Sequence, residues 1–320
     1  MPDFSLRPIT PQDIPQAMAL QAANQRLHPQ AEIVNGDLYL SQGPDDELSV
    51  FCVFDKQEKM RGYISIYPQM MTNAATPHLT WGNIKVYADD EQRQVIRDLL
   101  FEQILKKAKQ IIPKTPNYTT RLMFELHTSE TESIEYITAK GFAFVETTLR
   151  MTYDLGQKPK PVPKPSRIKV KNWKIEKETE QAAYVAARNE AFPLTPIRLV
   201  DAQTFLRSII NKCGTTVTAF DGKEIVGGVN AYWIEDDVKL RGKATGWTEN
   251  IFVRKAWEGR GIASYLICRS LLYLKEHGIV EARLDTGSQN KRAQGVYARL
   301  GYTITGEKHQ YALNYTGEET

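Results

Sequence analysis

The chain has 320 residues, 42% apolar and 25% charged, and 41 Lys and Arg against 38 Asp and Glu leave a net charge of +3. That length suits two globular domains, and so small a charge, with no Lys/Arg block or aromatic-studded basic stripe, excludes a nucleic-acid partner from the expectations. No apolar run approaches the roughly 18 residues that cross a bilayer, so no membrane partner is expected.

The amino-terminal "MPDFSLRPITPQD" lacks the basic-then-apolar order of a signal peptide. Cys52, Cys213 and Cys268 are too few and too scattered for a disulfide framework or a zinc pattern. A cytoplasmic, metal-free protein is the expectation.

In chain order, the first half offers "VFDKQEKMRGYISIY" from Val53, "WGNIKV" from Trp81 and "YITAKGFAFVETTLRMTYDL" from Tyr136. Near mid-chain comes "GQKPKPVPKPS", Gly156 to Ser166, whose alternating prolines and lysines predict an extended spacer. The second half opens with the strand-like "RIKVKNWKIE" and a helix through "TEQAAYVAARNEAF". A hairpin follows in "TVTAFDGKEIVGGVNAYWIE", turning at Asp221-Gly222, with the acidic "IEDD" as its solvated end. The next strand, "ATGWTENIFV", places Trp247, Glu249, Ile251 and Val253 on one face by period two. A helix starts near Gly261, with Ala263, Leu266, Ile267, Ser270, Leu271 and Leu274 as its burial stripe, and stops at Gly278. Then come the strand "EARLDTGS", a short helix around "AQGVYARL" and a closing hairpin from "GYTITGE" to "QYALNY".

The halves repeat each other. Asp55 and Gly62 recur 166 positions later as Asp221 and Gly228, Asn83 recurs after 167 as Asn250, and Gly141 after 160 as Gly301. Three matched stretches in one order imply duplication. The expected division is a first domain over 1–155, a linker over 156–167 and a second domain over 168–320. Each is an α/β domain whose mixed, mostly antiparallel sheet is flanked by helices.

Between the strand "NIFV" and the next helix lies Glu258-Gly259-Arg260-Gly261-Ile262-Ala263. The first N–H groups of a helix lack intrahelical partners, and the helix dipole adds positive charge there. Glycines keep side chains out of the way of a bulky anion, and Arg260 adds a formal charge, so the loop suits a pyrophosphate. It is neither the P-loop nor the dinucleotide fingerprint.

The element order and this loop resemble the GNAT superfamily of N-acetyltransferases, whose pyrophosphate loop reads [QR]-x-x-G-x-[GA]. Gly261 and Ala263 match; Glu258 departs at the first position. Downstream, Asn290, Ala293, Tyr297, Gly301 and Tyr302 match the family's N-x-x-A-x-x-x-Y-x-x-x-G-[FY] stretch. The resemblance is strong over 168–315 and faint over 5–155. It implies an N-acetyltransferase that moves an acetyl group from acetyl-CoA, as co-substrate and without metal, to a primary amine of a small molecule or peptide.

The resemblance further implies that the loop Glu258 to Ala263 cradles the pyrophosphate and that backbone groups of Ile251, Phe252 and Val253 hold the pantetheine arm. By the same carry-over, Asn290 bonds that arm and Tyr297 protonates the leaving thiolate. Glu249 is the candidate general base, with an anchor for the substrate amine as the alternative role. In the first half, Gln92 and Gln94 stand opposite Gly259 and Gly261, Glu130 opposite Asn290 and Ile137 opposite Tyr297, so that half is expected to bind no coenzyme. A mycothiol-synthase-like enzyme and a non-catalytic acyl-CoA- or partner-binding module are the rival readings, and a homodimer stays open. His28, His78, His127, His277, His309 and Cys268 are expected to be structural.

Overall fold

The computed structural model describes residues 4–31, 33, 39–40, 49–71, 76–87, 89–114 and 117–316. Their contacts divide the chain into Met1–Thr147 with Lys308–Thr320, and Thr148–Glu307.

In the first unit, β1 (Ser5–Pro8), α1 (Ile14–Leu27), β2 (Val50–Phe54), β3 (Met60–Gln69) and β4 (His78–Val86) lead to the long helix α2 (Arg93–Ile111). After it come β5 (Thr120–His127), α3 (Thr131–Ala139) and the start of β6 (Ala143–Asp154). Neighbouring strands among β1 to β5 pair antiparallel except β4 and β5, which run parallel because α2 crosses between them. One face of the sheet buries Ile64, Ile66, Leu122 and Phe124 under Ile96, Leu100 and Ile104 of α2.

The second unit holds β7 (Ile168–Trp173), α4 (Glu178–Ala191), α5 (Leu199–Phe205), β8 (Gly214–Asp221), β9 (Glu224–Trp233) and α6 (Glu235–Arg241). It continues through β10 (Thr245–Val253), α7 (Ile262–Glu276), β11 (Glu281–Gly287), α8 (Lys291–Leu300) and the start of β12 (Thr303–Tyr315). The strand order β6-β11-β10-β9-β8-β7 contains one parallel pair, β10 with β11. The predicted stripe of α7 is its core face: Leu266, Ile267, Leu271 and Leu274 pack on Val217, Ala219, Val229 and Leu284. Ala263 stands apart as half-buried.

The compact units and the sequence repeats do not end at the same residues. Thr148–Asp154 of β6 pair with Gly287–Glu281 of β11 inside the second unit, and Lys308–Tyr315 pair with His127–Thr120 of β5 inside the first. Each parallel pair leaves the outer edge of β5 or β11 with unsatisfied backbone groups, and a strand from the other end of the sequence satisfies them. For the same reason the expected closing hairpin is a single strand, β12, whose 13 residues run through Gly306 without turning.

One further expectation changes. "IEDD" opens α6 instead of ending a hairpin. The Pro/Lys segment is extended but not free: Lys160 O accepts the Cys268 thiol at 3.4 Å, Gln157 O accepts Lys275 Nζ at 3.2 Å, and Val162 packs on the second core.

Candidate active site

Parallel β10 and β11 stay hydrogen-bonded only from Thr245↔Glu281 to Trp247↔Arg283. Beyond that point β11 keeps its other neighbour, β6, as far as Gly287. The edge of β10 that faces β11 is therefore left without a strand partner. A register shift between Glu249 and Phe252 bends β10 away, with Asn250 at φ 48°. Asparagine is among the few side chains that tolerate that left-handed backbone.

This bulge corrects the period-two expectation. Trp247 and Glu249 oppose Tyr232 and Asn230, but after the shift Phe252 opposes Gly228 and Val253 opposes Gly227. Phe252 thus joins the face of Trp247 and Glu249, and Val253 turns to the other. In β4 the ladder to β3 runs unshifted from Gly62↔Val86 to Gln69↔Leu79. The extra residue in β10 is why the repeat offset changes from 166 to 167 between Gly228 and Asn250.

A cleft of about 620 Å³ opens where the strands part. Ile251, Phe252, Val253, Glu258, Gly259, Gly261, Ile262, Ala263, Asn290 and Tyr297 all line it; Arg260 and Glu249 do not. Gly259 and Gly261 both sit at φ 75°, and a Cβ on either would meet nothing within 4 Å. Backbone conformation, not crowding by the protein, demands glycine at both positions, and the space before them is open to a ligand. Gly261 caps α7, whose first intrahelical bond runs from Tyr265 N–H to Gly261 O at 3.1 Å. The N–H groups of Ile262, Ala263 and Ser264, which precede that bond, have no intrahelical acceptor and lie along the cleft.

Charged neighbours hold the turn. Arg260 folds back onto Ala256 O at 3.0 Å, and the unexpected Glu258 pairs with Arg292 of α8 at 2.7 Å, which offsets its charge. Arg254, which the sequence reading passed over, reaches Glu190 at the end of α4 (2.6 Å), Glu224 at the start of β9, and the ring of Trp257 (5.0 Å). Trp257 in turn donates to Asp221 at 3.2 Å.

On the opposite wall, Asn290 caps α8 by accepting Ala293 N–H at 3.2 Å, which leaves its amide nitrogen as a donor for a ligand. The buried Tyr297 has its phenol pushed up to about 12 by burial, and nothing among the described residues bonds its hydroxyl. Glu249, half-buried, accepts the hydroxyl proton of Tyr232 at 2.8 Å. None of the five histidines lines this cleft.

The first unit has a cleft of about 720 Å³ beside the end of β4, but its chemistry differs. Asp90 Oδ1 accepts Gln92 N–H at 2.9 Å, so a carboxylate of the chain itself stands at the start of α2, held by Arg61 at 2.7 Å. Gln92 precedes the first residue of α2 at φ −99°, without the left-handed turn found before α7. Lys85 and Glu130, both buried, meet at 2.8 Å. Burial pushes the Glu130 carboxyl up, but Lys85 and the His127 N–H bring it below its ordinary value.

Residues 171–302 match the Acetyltransferase (GNAT) family. Over 69 residues, 22% of the chain, the sequence is 36% identical to N-alpha-acetyltransferase MAK3 of Arabidopsis thaliana, and it spans 36% of that relative's length. A GCN5-related N-acetyltransferase from Sphaerobacter thermophilus superposes with a TM-score of 0.71 at 19% identity, covering 98% of this chain and 96% of that one. A tandem GNAT protein from the clavulanic acid biosynthesis pathway also reaches 0.71, at 12% identity, covering 99% and 100%. The likeness to these structures is one of fold, and it extends over both units. Among the described residues no group of three His, Cys, Asp or Glu could hold a metal, and no helix is long and apolar enough to cross a membrane.

Proposed function

We propose, from the match of residues 171–302 to the Acetyltransferase (GNAT) family, that the chain transfers an acetyl group from acetyl-CoA to a primary amine, using the second unit alone. The observation that carries this reading is the convergence on one cleft of a strand edge without a partner, the glycine-turned start of α7 and the hydroxyl of Tyr297. The room before Gly259 and Gly261, where no protein atom would meet a Cβ, fits a pyrophosphate.

When bound, the coenzyme supplies the acetyl thioester. N–H groups of Ile262, Ala263 and Ser264 take the pyrophosphate, and the exposed edge of β10 from Ile251 to Val253 aligns the pantetheine arm. The Asn290 amide nitrogen bonds that arm. The acceptor nitrogen forms its bond to the acetyl carbon as the C–S bond breaks; its proton leaves to Glu249 through water, and Tyr297 donates to the departing sulfur. With its phenol at about 12, Tyr297 holds its proton throughout the neutral range and acts as a donor, never as a base.

Glu249 lies outside the cleft lining, so its proton path needs an intervening water. The family context and the sparse cysteines support a cytoplasmic enzyme. The test is release of coenzyme thiol from acetyl-CoA against a panel of peptide α-amines, polyamines and amino sugars. Thiol release that depends on one amine class supports the enzyme; binding of acetyl-CoA with no release under any amine would make the chain a binding module.

A further inference from the structure

We propose that α8 carries a second anion subsite, formed by Lys291, Arg292 and Arg299, for the 3′-phosphate of the coenzyme. The inference rests on reading this cleft as the coenzyme site. Arg292, Gly295, Val296 and Arg299 recur at three- and four-residue spacing and so share one flank of α8; with Lys291, all of them line the cleft. Arg299 Nη1 lies 3.4 Å from where a Cβ on Gly295 would be, so the guanidinium folds back over the position that lacks a side chain. Arg299 forms no ion pair among the described residues. Arg292 is steered by Glu258, the residue that opens the coenzyme turn.

The duplication supplies an internal control. At the offset of 160, Lys291, Arg292, Gly295 and Arg299 stand opposite Thr131, Glu132, Glu135 and Ala139. Three cations and a glycine in one copy become two carboxylates and no cation in the other. The cations therefore occur together with the glycine turn, and the copy that lost the turn lacks them. Arg292 is already paired with Glu258, and a pyrophosphate at the start of α7 would leave Lys291 and Arg299 without an anionic partner. A phosphomonoester, close to doubly charged at neutral pH, answers them.

Lys291, Arg292 and Arg299 are exposed, so salt screens this subsite strongly. The experiment compares KM for acetyl-CoA and acetyl-3′-dephospho-CoA at low salt and at about 0.5 M salt, in wild type, Arg299→Ala and Lys291→Ala. The expected result is a KM for acetyl-CoA at least ~5-fold below that of the dephospho donor at low salt, with the gap narrowing at high salt. Each substitution raises KM for acetyl-CoA several-fold more than for the dephospho donor. Equal KM values for the two donors in wild type, or equal rises for both in the variants, would overturn the subsite. If neither donor binds or releases thiol, the coenzyme reading itself fails and the subsite falls with it.

Discussion

Lys85 Nζ and Glu130 Oε1 meet at 2.8 Å with both side chains buried, at the positions that Phe252 and Asn290 occupy in the second unit. An apolar ring and a neutral amide bordering an open cleft have become a closed ion pair joining β4 to the start of α3. Removing one partner leaves a buried charge unanswered, so Lys85→Met should cost the first unit about 3–5 kcal/mol, read by denaturant unfolding. Lys85→Met with Glu130→Leu should recover most of that loss. The folded-state pKa of Glu130 lies below its ordinary value. Its contribution is therefore present above the ordinary carboxylate range and disappears as pH falls through the depressed value. The double variant should lose that part of the acid sensitivity, and an unchanged acid-unfolding midpoint would contradict the pairing.

Gly261→Val tests the turn. A Cβ there meets no protein atom, so the only internal penalty is the left-handed backbone, about 1–2 kcal/mol. The variant should stay folded and bind acetyl-CoA at least ~10-fold more weakly by calorimetry. Equal affinity in a folded Gly261→Val protein would remove the turn from the account.

Arg254 ties Glu190, Glu224 and Trp257 around the same turn, and the end of α4 beside Glu190 forms part of the cleft wall through Ala191 and Phe192. Its carboxylate partners are about half exposed, so the network adds little to global stability. Arg254→Ala should raise KM for acetyl-CoA ~3- to 10-fold while kcat stays within about twofold, and Arg254→Lys should recover part of the loss. A fall in kcat at constant KM would argue against a positioning role.

Tyr297→Phe should lower kcat ~10- to 100-fold with little change in acetyl-CoA affinity, because the hydroxyl is needed only as charge grows on sulfur. With the phenol at about 12, activity should show no fall from Tyr297 ionisation between neutral pH and about 10, the ordinary tyrosine value. Glu249→Gln should lower kcat at saturating amine if Glu249 is the base, and raise the acceptor KM with little change in kcat if it is the anchor. Wild-type rates in both variants would leave the two residues structural.

Much of the cleft lining was legible because it comes from two short stretches of sequence with a recognisable residue pattern. Gly259, Gly261, Asn290 and Tyr297 stand in two short stretches, and the fold brings both to one cleft. The bulge was written in the sequence as the one-residue change of offset before Asn250, but period two hides it, since only pairing with β9 shows which residue has slipped. The strand exchange was invisible for a different reason. β6 and β12 are copies of one another, so an alignment scores them equally well wherever they pair. Arg254 and Arg292 escaped because an ion pair across distant elements has no sequence spacing. Asp90 escaped because it lies just before the stretch, Glu91 to Ile96, that aligns with Glu258 to Ala263.

The most direct test of the central claim, one coenzyme site per chain at the start of α7, is a calorimetric titration with acetyl-CoA on wild type and Gly261→Val. The account predicts a stoichiometry of one per chain in wild type and loss of that site in the variant. A stoichiometry of two, or a single site that survives Gly261→Val undiminished, would contradict it.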